Sequence, residues 1–182
     1  MKETIAQSVA EVQEHVVAHR RTLHQIPEVG LDLPQTAGYV RKILTELGCI
    51  PQNIGTCGQV VTLGQGERTL LLRADMDALQ VEEHNDLPFC AANGCMHACG
   101  HDIHAAVLYG TLLRLSAERN FEGTLFGIFQ PGEESNPGGA SKVLAENPFE
   151  GYTVLAVVGE HVEPALDAVP PPCCAGAGWC PG

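Results

Sequence analysis

The chain has 182 residues, 45% of them hydrophobic and 18% charged, which is enough to bury the core of one globular domain. Ten basic residues against 22 acidic ones give a net charge of −12, which argues against a nucleic-acid partner because a phosphate backbone needs a basic face. Residues 1–7 contain no apolar signal core, and no run approaches the length of a membrane span. We therefore expect a cytoplasmic protein without a membrane partner, whose eight cysteines do not imply disulfides.

Hydrophobic periodicity predicts helices at about residues 5–25 and from Thr36 to a glycine stop signal at Gly48. The period then changes, and short apolar runs at 59–63 and 69–73 predict two strands joined by a tight turn. The remaining predicted elements alternate: a helix at 101–117, a strand at 124–129, a helix at 139–146 and a strand at 153–158. This alternation predicts an α/β fold with a mixed, largely parallel sheet flanked by helices.

The most informative stretch is residues 97–104, where three histidines, a cysteine and an aspartate occupy eight positions. Thiolate, imidazole and carboxylate are the ligands that divalent transition metals take in proteins. Further candidates, Glu133-Glu134 and His161, each follow a predicted strand. Because sites in open α/β sheets form beyond the carboxyl ends of the strands, we expect these groups to meet at one edge. The pattern predicts a two-metal hydrolase site.

Several of these residues have a structural alternative. A lone cysteine is usually a small hydrophobe, but the neighbouring glycine and His101 favour Cys99 as a ligand. His161 could equally cap its strand. Four other residues have open roles: His97, His104, Asp75 and Asp77. Each could be a metal ligand or a group that orients one, and the two aspartates could instead form an ion pair with the adjacent Arg73.

The motifs, in this order, resemble the aminoacylase/carboxypeptidase-type metallopeptidases, and in particular the amidohydrolase branch. That branch contains hippurate hydrolases, N-acyl-amino-acid amidohydrolases and auxin-conjugate hydrolases. Five stretches carry the resemblance: RRTLHQIPEVG at 20–30, LRADMDAL at 72–79, HACGHDIH at 97–104, FQPGEE at 129–134 and GEHVEP at 159–164. The cysteine–histidine pair followed by the double glutamate is its most specific part.

The resemblance implies that two divalent metal ions (zinc, manganese or cobalt) are bound by Cys99, His101, Glu134 and His161. It also implies that Glu133 is the general base in hydrolysis of the amide bond of N-acyl amino acids such as hippurate. Other branches carry a histidine-x-aspartate ligand pair where this chain has Arg73-Ala74-Asp75, so we place Asp75 outside the predicted ligand set.

The resemblance covers about residues 16–166 and ends where a tail rich in proline and cysteine begins. Members of the family are considerably longer, with a dimerisation domain after the His161 region and a returning catalytic segment that carries a last histidine ligand. We therefore expect residues 1–166 to be the N-terminal part of a catalytic domain and residues 167–182 to be a disordered or non-native tail. Homodimerisation is implied for the family, but its dimerisation domain is missing here.

These expectations leave two main hypotheses, a metallo-amidohydrolase and a truncated, catalytically inert metal-binding fragment. A structural zinc or redox protein ranks last, because the sequence contains no Cys-x-x-Cys pair.

Overall fold

The computed structural model describes residues 2–118 and 121–165. Its helices are α1 (Lys2–His24), α2 (Pro34–Glu46), α3 (His101–Glu118) and α4 (Gly139–Ala145). Its strands are β1 (Gln52–Ile54), β2 (Gly58–Gln65), β3 (Arg68–Asp75), β4 (Gly123–Gln130) and β5 (Thr153–Gly159). Every predicted helix and strand is present, whereas β1, only three residues long, was not predicted. The predicted tail at 167–182 lies outside the described residues.

The five strands form one mixed sheet in the order β1-β2-β4-β3-β5. Strand β3 runs parallel to both of its neighbours, β4 and β5, while β2 pairs antiparallel with β1 and β4. The predicted α/β class is thus confirmed, with its parallel part confined to β4, β3 and β5. Since parallel strands end at the same edge, Asp75 pairs with Gln130 and Arg73 with Gly159, which aligns the segments that follow these three strands.

The predicted turn between β2 and β3 exists, but the two strands do not pair because β4 lies between them. The turn passes directly over the start of β4, where the Thr124 hydroxyl donates a hydrogen bond to the Gly66 carbonyl at 2.6 Å. A Cβ on Gly123 would lie 2.5 Å from the Arg68 carbonyl oxygen, so only glycine fits under this crossing. The residues of the turn cannot indicate that β4, more than fifty residues further along the chain, lies between β2 and β3.

Two apolar clusters cover the faces of the sheet. On one face, α1, α2 and α3 pack against alternate strand residues in a cluster that includes Leu23, Leu44, Leu112 and Phe129. On the other face, α4 contributes Val143 to a smaller cluster. Helix α3 therefore packs against β3 and β4 on one side and against α1 on another. This packing sets the position of its first residue, His101.

The edge strand β5 differs from the rest of the sheet because its apolar side chains are exposed. Relative exposures are 40% for Val154, 52% for Leu155, 63% for Val157 and 52% for Val158. Among the described helices, none combines the length and the apolarity that crossing a membrane would require.

We expect Leu112→Ala to lower the free energy of unfolding by about 2–5 kcal/mol, because this fully buried side chain would leave a cavity between α3 and the sheet. Leu144→Ala is the matched control. Leu144 lies on α4, is 64% exposed, and should change the free energy of unfolding by less than about 0.5 kcal/mol. Urea denaturation measures both, and equal losses would contradict this assignment of the core.

Candidate metal centre

A cleft of about 1080 Å³ opens at the carboxyl edge of β3, β4 and β5, beside the start of α3. Its lining includes Cys99 from the loop before α3, Glu133 and Glu134 from the loop after β4, and His161 from the loop after β5. The predicted meeting of these sequence-distant groups at one sheet edge is what the structure shows. Their roles as ligands and base stay predictions.

His101 is buried at the start of α3 next to this cleft, and its ring orientation is set by the backbone. Its Nδ1–H donates to the Asp77 carbonyl at 2.8 Å, which leaves the lone pair on Nε2. That Nε2 is buried and has no hydrogen-bond partner. Three carboxylates face it, with oxygens of Asp75, Glu133 and Glu134 at 3.9, 3.9 and 4.0 Å. A buried lone pair surrounded by acids at this distance has the geometry of a cation site.

The thiol of Cys99 completes one group of metal-binding atoms, because its sulfur, a His101 ring nitrogen and a Glu134 oxygen all lie within 4.8 Å of one another. A hydrogen bond to the Glu134 carboxylate, then burial and the neighbouring acids raise the pKa of Cys99 to about 11. Without a cation the residue is therefore a thiol. A bound metal ion would supply the positive charge that stabilises a thiolate here.

Asp77 orients the segments that carry the predicted ligands His101 and Glu134. Its carboxylate accepts hydrogen bonds from the backbone N–H groups of Glu133 at 2.9 Å and Glu134 at 3.0 Å, while its carbonyl accepts from His101. Burial raises the pKa of Asp77, but these hydrogen bonds and the His101 ring together lower it below its ordinary value. Of the alternatives open at the sequence level, the geometry favours an orienting role for this residue.

Asp75 combines two of the open alternatives. Its Oδ2 accepts from Arg73 Nη1 at 2.6 Å, as in the expected ion pair, and its Oδ1 accepts from His104 Nδ1 at 2.6 Å. Burial raises the pKa of Asp75, but the His104 hydrogen bond and the Arg73 charge bring it down to about 2. Asp75 also groups with His101 and Glu133 in a set whose oxygens and nitrogen lie within 4.8 Å of one another.

His161 reaches the cleft from the loop after β5. Its Nδ1–H donates to the Val162 carbonyl at 2.8 Å, so the Nε2 lone pair is available to a metal ion. The His161 ring centroid lies 6.0 Å from that of His101 and 4.6 Å from that of His104. The same three histidines form a further group of possible ligands within 4.8 Å of one another.

A second polar network, which was not predicted, lies beside the metal centre. His24 is buried, and its Nδ1 lies 2.7 Å from Asp102 and its Nε2 3.0 Å from Glu83. Arg20 Nε approaches the same Asp102 carboxylate at 2.8 Å. The available signals were the spacing of Arg20 and His24, four residues apart on one helix, and their place in the stretch at 20–30 that carries the family resemblance. The network ties α1 to the first turn of α3 and thereby to His101.

His97 lines the cleft beside this network and belongs to none of the groups of possible metal ligands. Both of its ring nitrogens are buried without a hydrogen-bond partner. Burial lowers its pKa to about 4, so the ring is neutral at ordinary pH.

Residues 71–171, which are more than half of the chain, match the sequence family described as peptidase family M20/M25/M40. The chain belongs to this family. It is 39% identical over 159 residues to N-acetyldiaminopimelate deacetylase of Lactococcus lactis subsp. cremoris, an alignment that covers 84% of this chain and 42% of the relative. It is 38% identical over 171 residues to N-acyl-L-amino acid amidohydrolase of Geobacillus stearothermophilus, covering 91% of this chain and 46% of the relative.

A solved structure agrees with this family assignment. A dinuclear metal-binding M20 peptidase from Bacillus subtilis superimposes with a TM-score of 0.79 at 33% sequence identity, covering 86% of this chain and 45% of that protein. The chain therefore spans less than half the length of these family members. The expected resemblance and the fold class are confirmed.

We expect Gly139→Ala to displace the loop that carries Glu133 and Glu134, because a Cβ at Gly139 would lie only 1.6 Å from the Pro131 carbonyl oxygen. The free energy of unfolding should fall by about 1–3 kcal/mol, as for overpacking, and metal uptake should weaken. Gly138→Ala is the control, since its Cβ would meet nothing closer than 3.6 Å. Urea denaturation and metal titration of both variants check the prediction, and equal behaviour would contradict it.

We expect part of the stability to disappear as the pH falls from about 4 to about 2. The pKa of Asp75 is lower in the folded chain, at about 2, than its ordinary value of 3.8, so its ionised form stabilises the fold above pH 4 and that contribution, roughly 2 kcal/mol, is lost in acid.

Urea denaturation at successive pH values with a chelator present measures this effect. The difference in unfolding free energy between the native chain and Asp75→Asn should be largest above pH 5 and shrink towards pH 2. Asp86→Asn, at an exposed position, is the control. A difference that does not change with pH would show that the Asp75 charge is not the cause.

Proposed function

We propose that this chain carries the metal centre of an amidohydrolase that cleaves the amide bond of N-acyl amino acids. Cys99, His101, Glu134 and His161 would hold two divalent ions, and Glu133 would be the general base. One observation carries the proposal: the buried His101 Nε2 has no partner and faces three carboxylates at 3.9–4.0 Å. The dinuclear metal binding of the Bacillus subtilis relative supports the number of ions.

The donor set suits the ions that the sequence predicts. Thiolate and imidazole favour zinc, while the carboxylates keep manganese and cobalt as alternatives. Two ions bound between these side chains would polarise the amide carbonyl and lower the pKa of a water molecule. The protein's own contribution is to hold the donors in place, chiefly through Asp77. Its carbonyl accepts a hydrogen bond from the His101 ring, and its carboxylate accepts from the backbone N–H groups of Glu133 and Glu134.

Glu133 is suited to move a proton. Its side chain is 42% exposed and opens to the cleft, and its Oε2 lies 3.9 Å from His101 Nε2. Its backbone is fixed by Asp77, so the carboxylate stands beside Glu134 at a defined position. In this proposal Glu133 accepts a proton from the attacking water on its carboxylate and then delivers it to the nitrogen of the leaving amine.

Two named relatives support the proposed substrate class. The Geobacillus protein is named for N-acyl-L-amino acids and the Lactococcus protein for an N-acetylated diamino acid, so both names describe an acyl group on the amine of an amino acid. We extend this class to the present chain, with N-benzoylglycine and N-acetyl amino acids as the substrates to be tested.

A second candidate function is metal binding without turnover. It is favoured by the exposure of β5, the strand that leads to His161, because an uncovered edge strand holds a ligand less rigidly. Metal uptake and product formation distinguish the two candidates.

We expect Glu133→Gln to retain its metal and to lose product formation by roughly 10²–10⁴-fold, because the glutamine amide cannot accept the proton. Glu150→Gln, at an exposed position at the opposite edge of the sheet, should behave like the native chain. Elemental analysis gives the metal content, and release of the free amino acid gives the turnover.

Each outcome of this experiment decides something different. Unchanged turnover in Glu133→Gln would remove the proposed base. A native chain that binds metal but forms no product would establish the second candidate. A native chain that binds no metal would exclude both.

A further inference from the structure

The backbone of Val162 forms hydrogen bonds on both sides with histidines of the candidate centre. Its N–H donates to His104 Nε2 at 3.0 Å, and its carbonyl accepts from His161 Nδ1 at 2.8 Å. The side chain of Val162 packs over Gly100, where an added Cβ would come within 2.4 Å of it. The position and ring orientation of His161 thus depend on where Val162 is held.

His104 is itself fixed from the other side. Its Nδ1–H donates to Asp75 Oδ1 at 2.6 Å, and both residues are only 1% exposed. Arg73 donates to Asp75 Oδ2 at 2.6 Å and, through Nε, to Gln130 Oε1 at 3.0 Å. A continuous series of hydrogen bonds therefore runs from β4 through β3 and α3 to the loop after β5.

This series assigns both ring nitrogens of His104. An Nδ1 that donates to a carboxylate and an Nε2 that accepts from an amide describe one neutral tautomer. In that state neither nitrogen has a lone pair left for a metal ion. Although His104 lies within reach of His101 and His161, its hydrogen bonds identify it as a support for a ligand.

Such a support is needed at this position more than elsewhere in the centre. Cys99 lies just before the packed helix α3 and His101 is its first residue, while the loop that carries Glu133 and Glu134 is held by Asp77. His161 is exposed and follows an edge strand whose apolar side chains are exposed too. The hydrogen bond from Val162 to the buried His104 ties this loop to the packed part of the site.

We propose that His104 is a positioning residue that, in the tautomer set by Asp75, holds the Val162 peptide and thereby places His161 for metal binding. The inference rests on the proposed metal centre. Groups that orient a metal ligand typically change metal affinity by about 10–100-fold when they are removed, and this is the effect expected for loss of the His104 ring.

The test uses the whole 182-residue chain with Co²⁺ as the probe, whose visible absorption reports the ligand geometry. His104→Leu should weaken the affinity for the ion that His161 holds by about 10–100-fold and change the absorption spectrum. His104→Gln should retain much of the affinity, because its side-chain oxygen can reach the Val162 N–H. His104→Asn can keep only the hydrogen bond to Asp75 and should resemble His104→Leu.

A double-mutant cycle separates positioning from direct ligation. If His104 acts through His161, adding His104→Leu to His161→Ala should change the Co²⁺ affinity by less than about twofold. His84→Gln, at an exposed position, controls for general loss of a histidine. A full additional loss in the double variant, or an unchanged affinity in His104→Leu alone, would overturn the inference.

A measurement on the unmutated chain avoids any dependence on the folding of variants. Nitrogen-15 NMR of the metal-free chain should show His104 as the Nδ1–H tautomer, and the Nε2–H tautomer would overturn the inference because that nitrogen could not accept from Val162. A native chain that takes up no Co²⁺ would instead refute the proposed metal centre, and the inference with it. Normal uptake with an unaffected His104→Leu variant would refute the positioning role alone.

Discussion

The arrangement of this protein depends on one electrostatic constraint, the gathering of acids around a buried imidazole nitrogen. Asp75, Glu133 and Glu134 place oxygens 3.9–4.0 Å from His101 Nε2, too far for hydrogen bonds and close enough to share a cation. In the metal-free chain the hydrogen bond to Glu134, then burial and this negative field make Cys99 a weaker acid, with a pKa of about 11. A bound cation would reverse that effect, since it would compensate the carboxylates and stabilise the thiolate together.

The sheet supplies the geometry that this constraint requires. Parallel pairing of β3 with β4 and β5 brings the three following loops to one edge, and α3 adds Cys99 and His101 from the same side. Around these donors, the hydrogen bonds of Asp77, Asp75 and His104 are directed inward from buried positions. A metal site built in this way has its donors oriented before the ion arrives, which lowers the entropy cost of binding.

Membership of the M20/M25/M40 family concerns how much of the chain resembles its relatives, whereas the exposure of β5 concerns how firmly the strand before His161 is packed. Similarity to the relatives extends over most of this chain but over less than half of theirs. Within the described residues, the helix side of the centre is packed, while the strand that leads to His161 exposes four apolar side chains. His161, the proposed ligand that follows this strand, is therefore the one whose placement relies on hydrogen bonds, and the backbone of Val162 provides them.

The local pattern of residues was sufficient to predict the elements and the chemical character of the site. The 3.6-residue and two-residue periods predicted the helices and the longer strands, because each reflects which side chains one element buries. The clustering of thiol, imidazole and carboxylate groups predicted a metal centre at the strand ends, and the family resemblance predicted which residues would meet there.

Tertiary structure alone decided the pairing of β4 between β2 and β3, the burial of His24, and the hydrogen-bond partners of Asp75, Asp77 and His104. These outcomes depend on partners far away in the sequence, such as Asp77 with the amides of Glu133 and Glu134, or His104 with that of Val162. Residue type specifies which hydrogen bonds a side chain can form. Only the folded chain determines which partner lies within 3 Å, and hence whether a histidine nitrogen faces a metal ion or an amide.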